Sequence, residues 1–264
     1  MRASKRRYQV RKKKSILKNR FFWTIILTIL FLGFSFWLTI FSPIFQIKMV
    51  LVSGNEKIPI SEIEQLVYPR TEIKILFFNT KSIFLVNAKS IKDEILKNYP
   101  IINDSSLKVK KLLPNSLSVE MTERKKVALW STTEIYFSVD EKGIAFEEAD
   151  REPEEDLVII SKQPKGEIFL KSKLIDEKVL SQILMIKKTI REKAKIEAKE
   201  FTLFESEARL NVKTTEGWEA YFYLEGDLDW QLIELELVLE KQLPQEKRQG
   251  LEYIDLRFSK VYYK

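Results

Sequence analysis

Seven acids crowd the ten residues from Glu147 to Asp156, and within them Glu154-Glu155-Asp156 is the run that could hold a hard cation. Carboxylates do so when several converge on one point, whereas adjacent acids in a polar, proline-containing loop are usually a solvated charge run. Asp227 and Asp229 are the other acids with a hydrolytic possibility. They stand just ahead of an apolar periodic stretch, where Asp serves a helix start and is favoured by the positive end of the helix dipole. The chain has no His and no Cys. That removes Ser-His-Asp and Cys-His nucleophiles, His/Cys metal sites and thiol redox chemistry together. GxGxxG, GxxxxGK[ST] and GxSxG are absent, and seven glycines among 264 residues leave little for phosphate-cradling loops. Ser/Lys pairs are too common in so lysine-rich a chain to carry meaning. The residues argue against an enzyme, with no catalytic set, metal, cofactor or small-molecule substrate expected.

The elements that would position any site begin at a membrane. Residues 1–20 hold ten Lys or Arg and no acid, and Phe21 to Phe41 is free of charge. At about 1.5 Å per residue such a helix is roughly 31 Å long, the thickness of a bilayer core. Trp23 and Trp37 lie near its ends, where indoles favour the interface. A cleaved signal peptide would need a shorter core and a small-x-small site, and Thr39-Ile40-Phe41-Ser42-Pro43-Ile44 offers none. Residues 42–61 carry only Lys48 and Lys57 as bases. The positive-inside rule therefore predicts a cytoplasmic basic tail (1–20), a transmembrane helix (21–41) and an extracytoplasmic remainder. Without the ten basic residues of the tail, a net charge of +7 becomes −3. The basic pI thus describes a tail beside anionic phospholipid headgroups rather than a nucleic-acid-binding domain. With no disulfides available, the exported part must be held by its core alone, and some 220 residues suffice for two domains.

Residues 44–124 read as a β-α-α-β-β unit. Phe45, Ile47, Met49 and Leu51 alternate as in a half-buried strand, stopped by Ser53-Gly54-Asn55. Ser61 with Glu64 predicts a capping box and a helix over 62–67, closed by Pro69. A second helix is expected over 88–98, then strands over 107–113 and 117–122 joined by Pro114-Asn115. Residues 125–264 read as a second, β-rich domain. Its strand candidates are 128–130, 135–139, 144–146, 157–160, 201–203, 208–214, 218–224 and 253–258, with 261–263 a weaker one. Helices over 177–193, with Val179, Ile183, Ile186 and Ile190 as its stripe, and over 229–242 complete it. A last strand is often an edge strand, and an apolar, aromatic edge invites pairing by another chain. Tyr253, Ile254, Leu256, Phe258, Val261, Tyr262 and Tyr263 make this edge the candidate binding surface. The alternative is that these side chains only cover the domain's own core.

Several segments together resemble a known family. Val50-Leu51-Val52-Ser53-Gly54-Asn55 behind an anchor looks like the opening strand of a POTRA domain. Leu112-Leu113-Pro114-Asn115-Ser116-Leu117, Val119-Glu120 and Glu123-Arg124-Lys125-Lys126-Val127-Ala128-Leu129-Trp130 resemble its end and exit. Phe137 to Phe146 is similar to the following hairpin, and Tyr253-Ile254-Asp255-Leu256-Arg257-Phe258 to a C-terminal strand. In this order they resemble the bacterial cell-division family FtsQ/DivIB. The resemblance implies an α+β chain with a single transmembrane helix, a POTRA-like β-α-α-β-β domain (44–124) and a mixed, β-rich second domain with packed helices (125–264). It implies a non-catalytic divisome scaffold at the septum, binding FtsB/DivIC-like and FtsL-like partners outside the membrane by strand addition along Tyr253–Tyr262, with Phe258 on the contacting strand. Gly54, Pro114, Asn115, Glu123, Arg124, Trp130, Asp255 and Arg257 then become structural motif residues, the last two holding strand register. Lys126 stands where a Pro is common in the family. The chain stops six residues after Phe258, so no long tail function is expected. The rival readings are a membrane-anchored POTRA chaperone for exported polypeptides, separable by titration with unfolded chains, and a cell-wall enzyme, separable by turnover of peptidoglycan.

Overall fold

The computed structural model describes residues 20–75, 77–132, 135–149, 157–162 and 166–264. Residues 1–19 of the basic tail, and the Glu154-Glu155-Asp156 run, lie outside the described residues. The protein is a mixed α+β chain that divides into two compact units, residues 1–95 with 107–121 and residues 96–106 with 122–264.

In the first unit, α1 (Arg20–Phe41) is long and apolar enough to cross a membrane. Most of its side chains are exposed, as a lipid-facing helix requires. After it come β1 (Met49–Ser53), α2 (Ile60–Thr71), β2 (Ile73–Ile75), β3 (Phe78–Thr80), α3 (Ala88–Asn98), β4 (Lys108–Leu112) and β5 (Ser116–Glu120). The sheet order is β1-β5-β4, with β5 parallel to β1 and antiparallel to β4. Ile63 and Val67 of α2 and Ile91 and Ile95 of α3, each pair one helical turn apart, are fully buried with Leu117 and Val119 of β5. α3 has the bounds its periodicity predicts.

Three expectations need correction here. The first strand begins at Met49 rather than Phe45, and Gln46 makes only an isolated bridge to Ser82. The capping box does not form, because α2 starts early, behind Pro59, which puts Ser61 inside the first turn with no side-chain cap. Pro69 lies within α2 rather than after it. It withholds one N–H near the end, and the helix stops two residues later at Thr71. The two-stranded hairpin of β2 and β3 had no signal in the sequence.

The second unit holds β6 (Ala128–Ser131), β7 (Tyr136–Val139), β8 (Ala145–Ala149), β9 (Val158–Ser161), α4 (Glu177–Thr189), β10 (Ala198–Phe204), β11 (Arg209–Thr214), β12 (Glu219–Tyr223), α5 (Leu228–Lys241), β13 (Tyr253–Asp255) and β14 (Tyr262–Tyr263). They form one nine-stranded sheet in the order β14-β13-β12-β11-β10-β9-β6-β7-β8. β9 runs parallel to β10 and β12 parallel to β13, each pair joined by a helical crossover, while β6 and β9 are also parallel with β7 and β8 between them in the chain. Leu180, Ile183 and Ile186 of α4 and Leu232, Leu235 and Leu239 of α5 share one core with Phe201, Val212, Phe222 and Ile254 of the sheet. The α4 stripe is therefore carried by Leu180, with Val179 only partly buried. Past Thr189 the chain widens into a π-helical turn over Ile190–Ala194, then reverses at Lys195 with φ +56°.

Segment 96–106 joins this unit through its backbone. Asn103 N–H donates to Thr122 O at 3.0 Å, Arg124 N–H donates to Ile101 O at 2.7 Å, and Ile102 bridges Glu123.

Candidate functional site

The C-terminal margin of the large sheet concentrates exposed aromatic surface. Strand alternation sorts its residues. Ile254 is fully buried and Leu256 nearly so, facing the core. Tyr253, Asp255 and Arg257 fall on the other face. There Tyr253 stacks on Tyr221 of β12, ring centroids 5.4 Å apart and planes 11° apart. Arg257 donates to Asp255 through both Nε (2.8 Å) and Nη2 (2.6 Å), and its guanidinium carbon lies 5.6 Å from the Tyr221 ring centre. Its backbone N–H also donates to Asp255 Oδ1 at 3.2 Å.

This bidentate pair stands at the start of a reversal. After Leu256 the chain bends through Arg257–Lys260 and returns as β14, antiparallel to β13. Burial pushes the Asp255 carboxyl up, but the hydrogen bonds and charge of Arg257 outweigh it and hold the group below its ordinary range. Arg257 is raised in turn, chiefly by its hydrogen bond to Asp255.

The reversal changes which strand is the edge. β13 is flanked by β12 and β14, so the outermost strand is β14. Tyr253 and Lys264 exchange backbone bonds (3.3 and 3.2 Å), which makes Ile254 opposite Tyr263 a non-hydrogen-bonded pair. By that alternation the N–H and C=O of Tyr263 point outward, and among the described residues no strand lies beyond. Phe258 is 54% exposed and Tyr262 51%, with their rings edge to face at 6.0 Å. Val261 is partly buried against the core.

The sequence candidates thus separate. Phe258 and Tyr262 present side chains to solvent, Tyr253 presents one face of its ring, and Val261 is divided between core and surface. Ile254 and Leu256 are core residues; Ile254 lies on a strand enclosed between β12 and β14, and Leu256 N–H donates to Tyr221 O at 3.0 Å, so neither belongs to the open edge. Tyr263, also a sequence candidate, has an exposed side chain and outward backbone, whereas Tyr221 was not among the sequence candidates. The alternating pattern of β12 was legible, but not that β13 would pair with it.

The motif residues take structural places. Gly54 has φ +80°, and a Cβ there would come within 1.9 Å of Met121 O. Pro114 follows a cis peptide bond in the β4–β5 turn, and Asn115 O accepts from Lys48 N–H at 2.9 Å. Glu123 and Trp130 are buried. The buried Arg124 guanidinium donates to Asp140 Oδ2 and, at 3.2 Å, to Asp104 Oδ1. Asp140 Oδ1 accepts from Lys142 and Ile144 N–H, closing the turn that carries Gly143. Asp227 caps α5 by accepting from Trp230 N–H at 3.0 Å.

No protein-family model matches the chain. Over 105 residues it is 30% identical to the cell division protein DivIB of Clostridium acetobutylicum. Over that stretch the chain is similar to DivIB. The match covers 40% of this chain and 38% of the length of that DivIB, so it spans well under half of either. α1 is the helix long and apolar enough to cross a membrane among the described residues.

Proposed function

We propose that this protein is a non-catalytic scaffold of the division machinery. In this reading α1 is an uncleaved anchor with a cytoplasmic N-terminus. The sheet β1-β5-β4 with α2 and α3 serves as a POTRA domain, and the nine-stranded sheet serves as the partner-binding β-domain at the septum. FtsB/DivIC-like and FtsL-like proteins are its partners and septal cell-wall synthesis the process it helps couple. The observation that carries the proposal is the margin formed by β14: two exposed aromatic side chains beside a strand with unpaired outward backbone. Main-chain bonds supply affinity there, and Phe258 and Tyr262 act as anchors.

The test is titration of the full chain, in detergent, with the extracytoplasmic part of its FtsB/DivIC-like partner. Phe258→Glu is expected to weaken binding by about tenfold or more, since anchors of this kind each contribute roughly 1–2 kcal/mol or above. Phe258 is more than half exposed, so the folded state and its melting temperature should hold. Unchanged affinity removes Phe258 from the interface. An N-terminal fluorescent fusion should form a midcell band that depends on residues 251–264, and an even membrane distribution counts against the division role.

A further inference from the structure

The first unit carries a second exposed aromatic surface, beside the C-terminal end of α1. β2 and β3 form a hairpin whose turn carries Phe77, 91% exposed, and Phe78, 65% exposed. Phe84 and Ile44 are also largely exposed. The neighbouring Ile83 and Val86 already fill the core, so these side chains are surplus to it. A two-stranded hairpin is marginal in water by itself, and this one is fastened to the last turn of α1. Thr80 Oγ1 donates to Ile40 O at 2.6 Å, and Ser82 Oγ donates to Thr39 O at 3.0 Å. Gln46 Nε2 donates to the same Ile40 O at 2.8 Å, while its Oε1 accepts from Lys81 N–H at 2.6 Å. The terminal carbonyls of the helix, which otherwise seek water or headgroups, are thus capped by the folded unit.

These bonds fix the depth of the hairpin relative to the helix. A 22-residue helix is about 33 Å long, so its last turn lies at the interface of a bilayer whose core is about 30 Å thick. Whatever is fastened to that turn lies there too. A ladder of rings makes the continuity visible: Phe34 to Trp37 at 6.3 Å, Trp37 to Phe41 at 6.4 Å, and Phe41 to Phe78 at 5.9 Å. The series starts on the span and ends on the hairpin. Lys74 and Lys81, both exposed, sit on either side of it, and Lys111 Nζ donates to Phe84 O at 3.2 Å. Aromatic rings rimmed by lysines are the composition of a surface seated among lipid headgroups.

We propose that the β2–β3 hairpin is a second membrane contact, inserting Phe77 and Phe78 into the outer interfacial layer of the bilayer. The lipid surface is its occupant, and two points of attachment then hold the first unit at a set tilt. This rests on the reading of α1 as a membrane span, and the experiment separates the two.

The chain has no Cys, so single Cys variants of the full protein can each carry one environment-sensitive fluorophore without background. Three positions are compared in vesicles of phosphatidylcholine with a minority of phosphatidylglycerol. They are Leu30→Cys in the middle of α1, Phe77→Cys at the hairpin, and Ser61→Cys at the exposed start of α2. With nitroxide-labelled lipids, quenching at Phe77→Cys is expected to be at least about threefold stronger than at Ser61→Cys, with weaker quenching by aqueous cobalt. The ratio should stay constant as protein is diluted into more lipid. Lipid quenching at Leu30→Cys with none at Phe77→Cys overturns the hairpin contact and leaves the anchor standing. No lipid quenching at Leu30→Cys overturns the anchor, and the hairpin contact with it. Protection at Phe77→Cys that fades on dilution assigns the surface to a second copy of this chain instead.

Discussion

The two margins of the large sheet are treated in opposite ways. At one, β8 reads Ala145-Phe146-Glu147-Glu148-Ala149. Its start is covered by the chain itself: Ala145 N–H donates to Ser172 O at 3.0 Å, Lys171 N–H donates to Ala145 O at 2.6 Å, and Ile144 bridges Lys173. Glu147 and Glu148 then add charge, the common way a sheet edge is kept from pairing. At the other margin, β14 is two aromatic residues with outward backbone and the exposed ring of Phe258 alongside. One edge is covered and charged, the other left apolar and open. The difference leaves the C-terminal margin as the edge open to pairing, which is where the proposed recruitment belongs.

Substitutions can break or sharpen this contrast. The largest effect is expected from Ile254→Ala. Ile254 is fully buried, and removing it should cost about 2–5 kcal/mol of stability, seen as a fall in denaturation midpoint together with lost partner binding. Equal loss of binding with an unchanged midpoint would mean that Ile254 contacts the partner directly.

Tyr263→Pro is the sharper test of the open edge. Proline is tolerated in an edge strand where its N–H would face solvent. Stability should shift by less than about 1 kcal/mol, while partner affinity falls by about fivefold or more through the missing donor. Tyr262→Pro, in the hydrogen-bonded pair opposite Asp255, should instead detach β14 and show local loss of hydrogen-exchange protection.

The Asp255–Arg257 pair gives a pH signature. A carboxyl held below its ordinary value stabilises the fold when the pH is above that value, 3.8, and loses the contribution as the pH falls through the depressed one. The reversal over 257–260 should hold through neutral pH and loosen only below about pH 4. Asp255→Asn should abolish that acid transition and cost about 1.5 kcal/mol at neutral pH. The smallest effect on stability, within about 0.5 kcal/mol, is expected from Glu148→Val. Its readout is association: a less charged β8 edge should raise self-association in light scattering, whereas no change would credit the 171–173 cover with the whole protection.

Local pattern announced much of this architecture. The apolar run 21–41 predicted α1 to within one residue, and Asp227 was read as a helix-start residue before it was seen to cap α5. What stayed hidden depends on residues far apart in the chain. The β2–β3 hairpin occupies 73–80, where no Gly-containing turn marks a reversal. Pro59 advanced the start of α2 past a plausible Ser61–Glu64 box, because the entry of the chain decides which side chain can reach a free N–H. At the candidate site, the aromatic character of 253–263 was plain. That Ile254 and Leu256 turn inward, that β14 rather than β13 forms the edge, and that Tyr221 lies beneath Arg257 all follow from a parallel pairing across α5. Composition does not encode that register.

β14 grips its neighbour over a short seam, Ile254 with Tyr263 and Asp255 with Tyr262, closed by the backbone bonds between Tyr253 and Lys264. In mechanical terms it is a fuse. Any strand that docks along it with a longer run of pairs is held more firmly than β14 holds the sheet, so under tension this short seam parts first. Separation would then leave the remaining eight strands and their core in place, and the seam can close again once the load is gone.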